Sequence, residues 1–230
     1  LMPLAEELAN RGYRLLVICS NPPSEVEASS AGLVEGIKFR SAPLPRGFSP
    51  LGYLRAMGAL RRIILEESPY LIHAHFSAAA LACALAKKRN WPPFLVTFQG
   101  LAFSNSSIGL KRLFILLAEL YTIGRSDKSW VLTQDDRDAV KSLFPQAKLF
   151  VQKSLGFGCE LNRFEPKAIK QDQLTHLATE LRINKDNFIF IFMGRWSAFK
   201  GFALVVRAFQ SIQNRHPHAK LLLVGGYDQL

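Results

Sequence analysis

What most constrains this chain is the spacing of its apolar runs. Short stretches recur along almost its whole length: Leu15 to Ile18, Tyr70 to Ile72, Phe94 to Phe98, Trp130 to Leu132, Leu149 to Val151, Phe188 to Met193 and Leu221 to Val224. They lack the polar alternation of a strand that is wet on one face, so each reads as a strand covered on both faces. Ile37 to Arg40 is a weaker candidate. Helical patterns fill the intervals. Over 51–67, Tyr53, Met57, Leu60 and Ile64 share one face while Arg55 and Arg62 lie opposite, as a surface helix of a layered domain requires. Over 109–124, Leu110, Phe114, Leu117 and Tyr121 are flanked by Ile115, Leu116 and Leu120. That helix is apolar nearly all round, which predicts deep burial or contact with a membrane or another domain. Thr133 before Gln134-Asp135-Asp136 predicts a capped helix start with acids in its first turn, and Phe144-Pro145 its end. Repeated strand, helix, strand order makes this an α/β chain with a parallel sheet.

The alternation pauses once. From Ser154 to Ile169 the sequence carries glycines, a proline and charges without period, and a fresh helix and strand begin near Gln171 and Asn187. The domain boundary is placed there, separating 1–165 from 166–230. A content of 49% hydrophobic and 20% charged residues excludes disorder and a collagen-like chain. Cys19, Cys83 and Cys159 form no C-x-x-C pair and are odd in number, which argues against a disulfide framework and a thiolate zinc site. The small, apolar run Ala78 to Ala86 falls far short of the roughly 18 residues a spanning helix needs. The opening LMPLAEELANRG is too charged for a signal peptide, so the chain reads as cytoplasmic and Asn105-Ser106-Ser107 as a chance glycosylation match. The 29 Lys and Arg exceed the 18 Asp and Glu, a net charge of +11. Such an excess suits nucleic acid, an anionic membrane or phosphorylated small molecules. Its spread along the chain disfavours a nucleic-acid arm.

The sharpest local feature follows the run Phe188 to Met193: Gly194-Arg195-Trp196-Ser197-Ala198-Phe199-Lys200-Gly201, then a helix from Phe202. A buried strand thus delivers an Arg and a Lys to a helix start. Ligands of open α/β sheets bind outside the carboxyl ends of strands, and a helix N-terminus favours phosphate. Arg195 can grip two phosphate oxygens, Lys200 adds a mobile charge, and Gly194 and Gly201 let the backbone approach, a combination suited to a diphosphate. The same pattern also fits two solvated bases on a surface loop. His73 and His75 alternate at a strand end and supply two metal ligands without an evident third, so a polar rim of a cleft is the better reading and no metal site is assigned. Asp136-Arg137-Asp138 sits in a predicted first helical turn, where acids meet the helix dipole, and His216 and His218 flank Pro217 in a loop.

The segment GRWSAFKG resembles the G-R-L-x-x-E-K-G motif of the retaining glycosyltransferases of family 4, with Arg195 and Lys200 at the spacing of the bases that bind the donor pyrophosphate. Other matches occur in the family's order. LAEELANRGYRLLVICS resembles its early helix and strand, YLIHAHFSAAALACALA its H-x-H strand and following helix, and LVTFQGLAF its T-x-H-G-L-x-F segment. GFGCELNRFEP is similar to the interdomain G-x-G-x-D-L-x-R-F, with Glu160 where Asp is usual, and KLLLVGGYD to the next strand with its glycine turn at Gly225. Gln99 stands where many members carry a His near the donor sugar; an amide can hydrogen-bond but cannot transfer a proton. Phe199 replaces the motif's acid.

The resemblance implies a GT-B fold of two Rossmann-like domains, an acceptor-binding one over 1–165 and the beginning of a nucleotide-sugar-binding one over 166–230. It implies sugar transfer from a nucleoside-diphosphate sugar to an acceptor hydroxyl with retention, in bacterial surface polysaccharide or glycolipid synthesis, without an obligatory metal or cofactor. Arg195 and Lys200 are the expected catalytic groups, stabilising the leaving diphosphate, with Gly194, Gly201 and Gly225 beside them at the donor. His75, Gln99 and Gly100 are expected near acceptor or sugar, and Gly156, Gly158 and Glu160 at the interdomain hinge. A glycan or lipid-linked acceptor and peripheral contact with the anionic inner face of the cell membrane are further expectations. The family's first strand and glycine loop are not found before Leu1, and its Glu-x7-Glu signature is expected beyond Leu230; Glu27 and Glu35 match that spacing by coincidence. The chain is therefore expected to be incomplete at both ends and inactive alone. The alternatives are a noncatalytic glycosyltransferase-like binding domain and, less favoured, a nucleic-acid-binding α/β protein.

Overall fold

The computed structural model describes residues 2–22, 36–45, 47, 49–103, 109–151, 161 and 164–227. The chain divides into two compact units, Leu1–Glu160 and Leu161–Leu230.

The first unit opens with α1 (Met2–Asn10), β1 (Leu15–Cys19) and β2 (Ile37–Ser41), the two strands pairing in parallel from Leu15 opposite Ile37 to Cys19 opposite Ser41. The weaker strand candidate is therefore real. Next come α2 (Pro50–Glu67), β3 (Ile72–His75), α3 (Ser77–Ala86), β4 (Phe94–Thr97), α4 (Leu110–Arg125), β5 (Lys128–Val131), α5 (Gln134–Leu143) and β6 (Leu149–Val151). Strands β3 to β6 form a parallel four-stranded sheet in chain order, and β1 with β2 forms a separate two-stranded sheet. Parallel neighbours in chain order need a crossover each, and α3, α4 and α5 supply them.

Local chemistry sets these boundaries. Ser49 caps α2 by accepting from the Gly52 N–H at 3.2 Å, with Pro50 in the first turn where its missing N–H costs nothing. The helix ends at Ser68 in a left-handed conformation, and Pro69 follows. The expected strand at Tyr70 to Ile72 consequently starts late: ladder pairing begins at Ile72 opposite Phe94, and Tyr70 is 94% exposed. Thr133 caps α5 as expected, accepting from the Asp136 N–H at 3.1 Å.

The core of this unit lies between the sheet and α3, which packs between α2 and α4. Ala80, Ala82, Ala84 and Ala86 are fully buried, small enough for neighbouring helices to approach, and Phe94, Val96, Phe98 and Val131 fill the sheet side. Cys83 belongs to this core, where burial pushes its thiol up to about 12 and leaves it inert. Helix α4 is not deeply buried. It buries Glu119, Thr122 and Ile123 but exposes Leu110, Leu113, Phe114, Leu117 and Tyr121, so one apolar face stays open among the described residues.

The second unit contains a short 3₁₀ turn (Pro166–Ala168), α6 (Gln171–Glu180), β7 (Phe188–Met193), a second 3₁₀ turn (Ala198–Lys200), α7 (Phe202–Gln213) and β8 (Ala219–Val224). β7 and β8 pair in parallel from Phe188 opposite Ala219 to Met193 opposite Val224. Phe190 and Phe192 meet Phe209 and Phe202 of α7 edge-on at 6.1 and 5.8 Å. Ile191 and Met193 point to the opposite face and are exposed, so cover on both faces is not found here; no second helical layer over them is among the described residues.

Candidate functional site

Two groups of polar residues gather at the carboxyl ends of parallel strands, one in each unit. In the second unit, β7 and β8 end side by side. The Gly194 N–H donates to the Val224 carbonyl at 2.9 Å, and the Trp196 N–H to Gly226 at 2.8 Å. This close passage depends on glycine: Gly194 and Gly225 have φ of 154° and 141°, and a Cβ built on Gly225 would land on the Gly194 carbonyl oxygen. Trp196 then stacks on Phe202 (5.2 Å, 18°) and meets the Tyr227 ring edge-on at 5.2 Å. The Ala198–Lys200 turn closes at Gly201, whose left-handed φ of 71° redirects the chain into α7.

Gly194, Arg195, Lys200, Gly201 and Gly225 are thereby brought together around one strand-to-helix loop. Arg195 and Lys200 are exposed, and the Lys200 Nζ lies 5.5 Å from the Phe199 ring centroid. In the same loop, Trp196 Nε1 and Ser197 Oγ are buried without a hydrogen-bond partner. A buried donor left unsatisfied is costly.

In the first unit, His75 ends β3 and Gln99 follows β4, its hydrogen-bonded neighbour. The His73 and His75 rings lie 4.2 Å apart, and His73 Nε2 is 2.9 Å from Thr97 Oγ1. His75 Nδ1 and Gln99 Nε2 are buried without partners. Burial, reinforced by His73, lowers His75 to about 4, so its imidazole is neutral near pH 7. Gly100 holds φ at 104°, turning the chain away from Gln99. The hinge candidates Gly156, Gly158 and Glu160 lie outside the described residues, as do Glu27 and Glu35. Among the described residues no three His, Cys, Asp or Glu cluster as metal ligands. Asp136 and Asp138 lie in the opening turns of α5, and His216 and His218 are exposed.

A model of the glycosyl transferase 4-like domain matches residues 1–152. The chain belongs to the glycosyl transferase 4-like family. An uncharacterized glycosyltransferase of Methanocaldococcus jannaschii is 25% identical over 189 residues, 76% of this chain and 44% of that protein. Among solved structures, the chain is similar to sucrose-phosphate synthase of Thermosynechococcus elongatus (TM-score 0.71, 17% identity), covering 99% of this chain and 56% of that one. It is similar also to Anabaena HepE, solved in complex with UDP-glucose (TM-score 0.70, 17% identity, 98% and 56% covered). The fold is that of the GT-B glycosyltransferases, and this glycosyltransferase-family chain spans about half the length of those it matches.

Sequence reasoning about this family member missed four polar residues at the two groups. Thr97 anchors His73; Trp196 and Ser197 supply the unpartnered donors of the second unit; Glu119, from the middle of α4, reaches the strand ends of the first. For Glu119 a signal existed: it is the one acid in the otherwise apolar and basic helix LKRLFILLAELYTIGR.

Proposed function

We propose that the chain is part of a retaining glycosyltransferase that moves a sugar from a nucleoside-diphosphate sugar to an acceptor hydroxyl of a surface polysaccharide or glycolipid. The observation that carries this reading is the loop from Gly194 to Gly201, which holds Arg195, Lys200 and the unpartnered Trp196 Nε1 and Ser197 Oγ at the head of α7. As the bond to the sugar breaks, the sugar gains oxocarbenium character and negative charge collects on the departing diphosphate. Arg195 and Lys200 meet that charge directly, and Gly194, Gly201 and Gly225 let the backbone lie against it. Preorganised donors of this kind each contribute about 3 to 4 kcal/mol to transition-state stabilisation. The complex of HepE with UDP-glucose supports a nucleotide sugar as the donor class.

On the acceptor side, 1–165 contributes His75, Gln99 and Gly100. Neutral His75 and the Gln99 amide orient hydroxyl groups by hydrogen bonding, and Gln99 moves no proton. The two bases, rather than a metal, balance the diphosphate in this reading. The exposed apolar face of α4, flanked by Lys111, Arg112 and Arg125, supports peripheral contact with an anionic membrane that carries a lipid-linked acceptor. No described helix is long and apolar enough to cross a membrane.

The test is a nucleotide-sugar panel presented with lipid-linked and soluble glycan acceptors to the protein in its full natural length, with the product anomer assigned by NMR. Transfer with retained configuration is expected. Transfer with inversion, or no turnover of any donor while the protein is folded, would overturn the proposal.

A further inference from the structure

The β3–α3 turn presents His75, and the loop after β4 presents Gln99, yet neither turn is regular enough to hold itself. Phe76 adopts φ 68° and ψ 148°, a region open essentially to glycine alone, while its side chain is 53% exposed and has little packing to impose that geometry. Gly100, with φ 104°, is equally free to relax. Beyond one backbone bond, from the Phe76 N–H to the Thr97 carbonyl at 3.2 Å, a side chain from another element is needed to hold both turns in place.

Glu119 is in position to do so. Its carboxyl group is 3% exposed and projects from α4 into the corner where the two turns meet. Ser77 Oγ, one residue after strained Phe76, donates to Oε1 at 2.5 Å. The Ala102 N–H donates to the same oxygen at 2.9 Å, and the Phe103 N–H to Oε2 at 3.2 Å. Both carboxyl oxygens are thus engaged, one spanning the two turns and the other securing the far side of the Gln99 loop. Burial raises the Glu119 pKa against the pull of these three hydrogen bonds. A buried carboxyl group is expensive, and an apolar side chain would fill a helix–helix contact at no such cost. The three donors it satisfies all belong to the turns beside the unpartnered atoms of His75 and Gln99.

We propose that Glu119 is a positioning residue, a single buried carboxylate that ties the β3–α3 turn to the β4 loop and so fixes the turns that carry His75 and Gln99. Its importance for sugar transfer rests on the acceptor-side role proposed above for those two residues; the positioning itself is tested without any substrate.

The full 230-residue chain is compared with its Glu119→Gln and Ser77→Ala variants by amide hydrogen exchange and by NMR titration of the His75 ring. The amide introduced by Glu119→Gln can accept through one atom only and turns an N–H donor toward a backbone donor. Hydrogen bonds to a charged group set the scale, so exchange at Ala102 and Phe103 is expected to quicken on the order of 10- to 100-fold in Glu119→Gln, while Val96 and Val131 keep their protection. Ser77→Ala, which removes one bond and is gentler on folding, is expected to free the β3–α3 turn alone. In both variants the His75 pKa moves up from about 4 as water enters the loosened turn. Direct loss of a negative charge in Glu119→Gln would move it down, so the upward direction reports geometry. Unchanged exchange at Ala102 and Phe103, acceleration shared equally by Val96 and Val131, or a His75 pKa that stays or falls would each overturn the assignment. A donor or acceptor screen that fails while these shifts occur would instead refute the acceptor-side reading and leave Glu119 as the tie between the turns.

Discussion

Replacing Gly225 by alanine is a severe perturbation with a built-in control beside it. At Gly225, φ is 141° and a new Cβ would overlap the carbonyl of Gly194, which is backbone and cannot swing aside. At Gly226 a new Cβ meets nothing within 4 Å. Gly225→Ala must therefore abandon its φ, at a cost of about 1 to 3 kcal/mol, and separate the ends of β7 and β8. That separation breaks the Gly194-to-Val224 and Trp196-to-Gly226 bonds of 2.9 and 2.8 Å, each worth about 1 kcal/mol. A loss on the order of 3 to 5 kcal/mol follows for Gly225→Ala, against a few tenths for Gly226→Ala. Urea denaturation of the full chain, followed by amide exchange at Gly194 and Trp196 to localise the effect, measures both. Equal stability of the two variants, or a larger loss at Gly226, would refute the argument that the strand ends touch through Gly194 and Gly225.

Thr133→Ala removes the cap of α5 and is expected to cost about 1 kcal/mol, roughly 2 to 4 °C in Tm for a chain of this size, while Thr133→Ser keeps the Tm near that of the parent. His75 gives a pH signature. It protonates near 4 in the folded chain and near 6.5 when unfolded, so the unfolded state binds more protons between those values. Stability falls as pH drops from about 6.5 toward 4, and His75→Gln should flatten that slope in urea titrations across this range.

The parallel α/β architecture was legible because buried strands leave uninterrupted apolar runs, and even the weak run at Ile37 proved to be β2. Local signals with a local cause were equally legible, as with the Thr133 cap and the Gly201 turn into α7. What escaped depended on contacts distant in sequence. Tyr70 is as apolar as its neighbours, but β3 begins only where Phe94 offers a partner. Helix α4 is apolar on most sides, and which side faces the core is decided by α3 packing against it rather than by its own composition. At the candidate site, charged residues in a contiguous motif, Arg195 and Lys200, could be read directly. Thr97 could not, and Glu119 stood out only as the lone acid of its helix, because their partners lie 16 to 42 residues away.

In the function proposed here, the loop from Gly194 to Gly201 seats a diphosphate. Isothermal titration of UDP into the full chain and its Arg195→Ala variant tests it most directly. Saturable binding that weakens with salt, and that Arg195→Ala reduces roughly 10- to 100-fold, is the predicted result. Absence of binding to the folded chain, or equal affinity of the variant, would contradict it.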